Sequence, residues 1–198
     1  MYQKARDNSV PLDTIERAIK RGTGELEGVN YEEVTYEGYA PNGVALYIQA
    51  LTDNRNRTGS EVRSTLSKNG GSLAEPGSGA WQFQRKGVIV LGKEVEEDEI
   101  MLVALDTGAE DLVDEGDTWR LTCEPTELNQ LRDALEEASI SFVSSDLTFL
   151  PTQVVSLEES IAAKQVLNLI DLLDELDDVD AVHANFDVPD AVLQEIAG

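Results

Sequence analysis

Four cations fall between positions 55 and 68 of the stretch 52-TDNRNRTGSEVRSTLSKNGG-71: Arg55, Arg57, Arg63 and Lys68. A guanidinium group matches the oxygens of a phosphate or carboxylate two at a time, so paired arginines are suited to holding an anion. The stretch predicts a loop running into a helix. Thr58 and Glu61 have capping-box spacing, Val62 and Leu66 mark a buried side, and Asn69, Gly70 and Gly71 supply the stop. Arg55 and Arg57 then precede a helix N-terminus, where unpaired N–H groups and the helix dipole favour negative charge, and Asn54 and Asn56 add donors. A nucleic-acid phosphate is one anion that fits. The side chains of Asp53 and Glu61 are others, and residue types alone do not choose between them. Arg63 and Lys68, five residues apart, are separated by about 140° around a helix and need not share a face.

The remaining sequence offers little other chemistry. It has no Gly-Lys-Ser/Thr phosphate loop, no strand-borne G-x-G-x-x-G, no nucleophile elbow and no histidine pair. The acid clusters 96-EEDE-99 and 174-DELDDVD-180 lack the spacing and central glycine of a calcium loop, so they read as solvated faces. With one cysteine, Cys123, and one histidine, His183, there is no disulfide framework and little soft-metal capacity. His183 is expected to be a packed or surface residue, and Trp81, Phe83 and Trp119 to be core, the alternative for Trp81 and Phe83 being a base-stacking platform. No catalytic residue, metal, cofactor or small-molecule substrate is expected. No run approaches the ~18 apolar residues of a membrane span, and a signal-peptide pattern is missing, so the expected location is the cytoplasm.

Charge is unevenly distributed along the chain. Of 198 residues with net charge −24, residues 1–86 hold 11 Lys+Arg and 11 Asp+Glu, while residues 87–198 hold 4 and 28. A polyanion would be repelled by the second part, so phosphate contact is expected from the first.

The elements that must position the cations follow from periodicity. Segment 11-PLDTIERAIKRG-22 is a short amphipathic helix. Strands at 31–40 and 43–51 form a hairpin, the basic helix follows, and a glycine-rich loop leads to a strand at 80–84. From residue 87 the order is regular: strand 87–92, helix 96–106, strands 110–115 and 118–123, helix 126–138, strand 140–149. This βαββαβ order is the ferredoxin-like pattern. Ser156 and Glu159 have capping-box spacing ahead of a long helix whose apolar face is Ile161, Val166, Leu167, Ile170, Leu173 and Leu176, and a last strand covers 179–188. The fold class is α+β, with the 87–150 unit inserted between two pieces that pair with one another.

The ordered set ERAIKRGTGE, YEEVTYEGY, TDNRNRT, KNGG and GSGAWQF, spanning residues 16–83, closely resembles the YebC/PmpR family, which includes the mitochondrial translational activator of cytochrome oxidase. The resemblance implies three domains. Residues 1–28 would be a remnant of an N-terminal helical domain, 29–86 with 151–198 a middle α+β domain, and 87–150 an inserted, acidic ferredoxin-like domain. It also implies a basic segment ahead of Met1, which would supply much of the salt-sensitive phosphate affinity, so this chain is expected to bind nucleic acid weakly. Gly79 stands where the family usually has valine, a change expected to cost rigidity at a strand start. Members are probable transcriptional regulators that bind DNA, or ribosome-associated translation factors, and no enzymatic activity goes with the family. The implied function is a non-enzymatic regulator of gene expression binding DNA, with ribosomal RNA or the ribosome as the alternative target. The expected nucleic-acid contacts are Asn54, Arg55, Asn56, Arg57, Arg63 and Lys68. Two other readings stay open: an acidic module meeting a basic protein partner, and a metal-dependent enzyme with an acidic cleft.

Overall fold

The computed structural model describes residues 30–197. The expected helix at 11–22 and the N-terminal remnant 1–28 lie outside the described residues. Two compact units divide the chain: one runs up to Ala80 and resumes at Val155, and the other is Trp81–Val154.

In the first unit, β1 (Glu32–Tyr39) and β2 (Ala45–Thr52) form the expected hairpin around a 3-10 turn at Pro41–Gly43. Their antiparallel register pairs Val34 with Ala50 and Tyr36 with Ile48. Two further strands, β3 (Ser72–Leu73) and β9 (Val179–Ala184), complete a sheet of order β3-β1-β2-β9, so the chain's last third closes the sheet that the first third begins. Leu46 and Ile48 of β2 are fully buried together with Val62 and Leu66 of α1 (Arg55–Lys68) and Val166, Leu169 and Leu173 of α4 (Ser160–Asp174). Close approach of α1 to the sheet depends on Gly38 in β1. A Cβ there would come within 2.9 Å of the Ser72 carbonyl oxygen and 3.1 Å of Leu66 Cδ1.

The second unit is a sheet of order β5-β6-β4-β7 built from β4 (Phe83–Gly92), β5 (Ala109–Asp114), β6 (Thr118–Cys123) and β7 (Ser144–Pro151), all pairs antiparallel. With α2 (Glu97–Ala104) after β4 and α3 (Leu128–Glu137) after β6, this is the ferredoxin-like βαββαβ order. Ile89, Leu91, Ile100, Leu121, Leu131 and Leu135 fill its core. The fold class is therefore α+β, as the sequence predicts.

Several local expectations are corrected. The strands expected at 80–84 and 87–92 are one strand, β4, because Gln84, Arg85 and Lys86 keep their pairing with β7. Residues Ala80–Gln82 form a 3-10 turn instead, so strand alternation does not apply to Trp81, which is 64% exposed, while Phe83 is buried. The long helix starts at Ser160 rather than after a Ser156 cap, because Ser156 is held extended in β8 (Val155–Ser156), paired parallel with β10 (Phe186–Asp187). Ile161 is 69% exposed: the buried stripe runs through Ala163, Val166, Leu169 and Leu173, and Ile161 lies about 200° round from Ala163. A final helix, α5 (Asp190–Ala197), was not anticipated.

Candidate nucleic-acid interface

Helix α1 begins four residues earlier than its sequence suggests. Asn54 is the N-cap, and its side chain accepts the N–H of Arg57 at 3.1 Å. Thr58 is therefore not a cap. It is a fully buried residue of the helix's second turn, and Arg55 and Arg57 belong to the first turn instead of preceding it. The chain is steered into that start by Thr52, whose Oγ1 accepts the N–H of Asn54 at 2.9 Å.

The two arginines have different surroundings. Arg57 Nη2 donates to Asp178 Oδ2 at 2.6 Å and to Asp53 Oδ1 at 2.9 Å. Asp178 is only 5% exposed, and its Oδ2 also lies 2.7 Å from the hydroxyl of Thr58 and 3.1 Å from that of Thr52. Burial would raise the Asp178 carboxyl, but the bonds from Arg57, Thr58 and Thr52 outweigh it and hold the group below the ordinary carboxylate range. Asp178 in turn pushes Arg57 upward. A buried carboxylate thus binds the side chains of Arg57 and Thr58 at the start of α1 from inside the fold. Of the local acids expected to compete for these arginines, Asp53 does so, whereas Glu61 forms no ion pair with a described residue. Among the described residues Arg55 makes only a long, exposed pair with Glu32 at 3.7 Å, and its carbonyl accepts the Tyr36 hydroxyl at 3.1 Å.

Farther along α1, Arg63 and Lys68 are exposed, and neither forms an ion pair with a described residue. At 100° per residue, Asn56 and Arg63 lie within about 20° of one another, and Lys68 within about 20° of Arg57. The six expected contact residues are thus on one short helix and its cap, four of them in two stripes. The carbonyls of Asn56 and Arg63 accept the hydroxyls of Ser60 and Ser67 at 2.7 and 2.8 Å, which keeps small polar side chains beside Arg63. Lys68 sits in the last turn, where the helix dipole favours a cation.

A second internal carboxylate explains the GSGAW wording. Glu37 on β1 is 8% exposed, and its two oxygens accept the N–H groups of Gly77 at 2.6 Å, Gly79 at 2.6 Å and Ala80 at 2.8 Å. Burial acts to raise this carboxyl, but the three backbone donors outweigh it and hold it low. A Cβ added at Gly79 would meet Glu37 Oε2 at 3.5 Å, an ordinary contact, so the backbone there accepts a side chain. Neither Glu37 nor Asp178 was singled out from sequence. Each is one acid among 39, and its partners are 40 or more residues away for Glu37 and more than 100 for Asp178.

His183 packs as expected, with Nε2 2.9 Å from Gln49 Oε1. Among the described residues, no three histidine, cysteine or acidic side chains gather as a metal-binding group, and no helix is long and apolar enough to cross a membrane.

The family model described as "TACO1/YebC second and third domain" matches residues 31–186. The chain belongs to the TACO1/YebC family. A probable transcriptional regulatory protein of Halothermothrix orenii is 49% identical over 197 residues, covering 98% of this chain and 78% of that protein. One of the same description from Acidothermus cellulolyticus is 52% identical over 195 residues, again covering 98% and 78%. In three dimensions the chain is similar to the crystal structure of a conserved hypothetical protein of Aquifex aeolicus, with a TM-score of 0.80 and 42% identity over 96% of this chain and 78% of that one.

Proposed function

We propose that this chain is a non-enzymatic regulator of gene expression that acts in the cytoplasm and holds DNA phosphates on the exposed side of α1. The carrying observation is the unequal commitment of its cations: Arg57 is bound by two carboxylates, whereas Arg63 and Lys68 are exposed and in no ion pair with a described residue. Arg63 with Asn56 on one stripe and Lys68 on the other are the outward contacts, and Arg55 adds to them at the helix start. Arg57 and Asn54 fix that start. The regulatory role and the absence of catalysis are supported by relatives described as probable transcriptional regulatory proteins.

The test is gel mobility of duplex DNA and of a ribosomal RNA fragment across a salt series. Each lost phosphate contact lowers the slope of log affinity against log salt by about 1, so Arg63→Ala with Lys68→Ala should flatten it by about 2. An unchanged slope would overturn the assignment to α1. Binding of RNA without DNA would transfer the reading to the translational branch.

A further inference from the structure

Helix α2 is built the wrong way round for a solvated surface helix. Ile100 and Ala104 are buried, and a residue about 180° from them should be polar, yet that position is Leu102. Leu102 is 74% exposed, Leu105 is 73% exposed, and Met101 joins them at the crest. The helix is flanked by two open recesses. One, of ≈ 470 Å³, has Glu94 and Glu99 at its edge and reaches the turn Ala138–Ser141. The other, of ≈ 230 Å³, has Glu97, Glu110 and Asp111 at its edge. No Lys or Arg lines either recess, and of their five acids Glu110 alone is paired among the described residues, with Lys86 at 2.8 Å.

We infer that this crest and its two recesses dock a basic amphipathic segment of a protein partner, its apolar side chains on Leu102 and Leu105 and its lysines or arginines on the flanking carboxylates. Charge selects that occupant. The Trp81–Val154 unit carries 5 Lys+Arg and 17 Asp+Glu, which repels a nucleic acid, an acidic membrane surface or a second copy of this chain. A neutral apolar partner would strip water from the flanking glutamates and give nothing back. A helix with leucines on one side and cations on its flanks satisfies both features, by the helix-in-groove mode.

The whole chain is titrated in 0.15 M salt with a synthetic peptide of about 14 residues, long enough for helix formation, with leucines at i, i+3, i+4 and i+7 and lysines elsewhere. A scrambled peptide of identical composition is the comparator. The patterned peptide should bind at least about tenfold more tightly than the scrambled one and shift the backbone amides of Ala138–Ser141. Leu102→Gln with Leu105→Gln should remove that advantage without changing the charge, and Glu97→Gln with Glu99→Gln should weaken binding as well. Ile161→Gln, an equally exposed position in the other unit, should leave it unchanged. Equal binding of the two peptides, or full retention of affinity by the leucine pair variant, would reduce the effect to general attraction of cations and overturn the proposal.

Discussion

The Asp178 cluster allows a worked prediction. Replacing Asp178 by alanine removes one carboxylate oxygen on which Arg57, Thr52 and Thr58 converge. Arg57 keeps Asp53 and, being half exposed, finds water, so its loss is small. The two threonines are fully buried and must find partners inside the fold. Thr52 can donate to Thr58, 2.7 Å away, and Thr58 to the Asn54 carbonyl at 3.2 Å, so the protons are satisfied but two charge-assisted bonds are gone. At the lower figure of about 1.5 kcal/mol each, Asp178→Ala should destabilise this unit by about 3 kcal/mol. Asp178→Asn, which keeps an acceptor, should cost about half of that. Fluorescence would miss the effect, since Trp81 and Trp119 both lie in the other unit. Amide hydrogen exchange of β2 and β9 is the suitable assay. The carboxyl is held low when folded, so its contribution is complete above the ordinary carboxylate value of about 3.9 and disappears as pH falls through the lower folded value. Wild type and variant should therefore converge in strong acid. A change below about 0.5 kcal/mol at neutral pH would refute the reasoning, because it would fall within the range of a neutral surface substitution.

Glu37→Ala should leave the N–H groups of Gly77, Gly79 and Ala80 without their acceptor, and at about 1–3 kcal/mol for the buried Gly79 group alone it should open the 77–80 loop, read as faster amide exchange there. Its carboxyl is also held low, so this contribution too is present at neutral pH and lost in acid. In the other unit, Gly87→Ala would place a Cβ 2.7 Å from Cys123 Sγ and 3.0 Å from Leu128 Cβ, and overpacking of this kind should cost about 1–3 kcal/mol in a urea titration followed by tryptophan fluorescence.

Much of the architecture is legible in the sequence because it is carried by local pattern. The βαββαβ order follows from alternation and helical spacing between residues 87 and 150, and β6 was expected over the residues Thr118–Cys123 where it is found. Boundaries went astray where a distant partner sets them. Thr58 has the spacing of a cap, but Asp178 draws its hydroxyl inward and the capping role falls to Asn54. Ser156 resembles a cap as well, but β10 holds it in an extended pair. The site shows the same division. The six polar residues of the candidate site were readable as one cluster, whereas the carboxylate that holds Arg57 arrives from the turn before β9, 121 positions away, a separation no local motif records.

Folding also changes what the charge distribution means. Along the sequence, residues 1–86 are balanced and the rest is acidic, which suggests a neutral platform for phosphate. In space, β9 joins the sheet that β1 and β2 begin and α4 shares its core, so the described residues of that unit, 30–80 and 155–197, carry 5 Lys+Arg and 17 Asp+Glu, the same count as the other unit. The cations of α1 therefore act within an acidic body. At a Debye length of about 10 Å in 0.1 M salt, a phosphate touching Arg63 or Lys68 feels those cations and also the acidic groups within about that distance, which oppose the contact. Added salt then has two opposed effects on affinity: it weakens each phosphate contact and it screens the repulsion that destabilises the complex. The observed slope of affinity against salt should consequently be shallower than the number of contacts implies. The comparison that isolates α1 is the difference between the parent chain and the Arg63→Ala, Lys68→Ala variant, because the repulsion of the rest of the protein is nearly common to both.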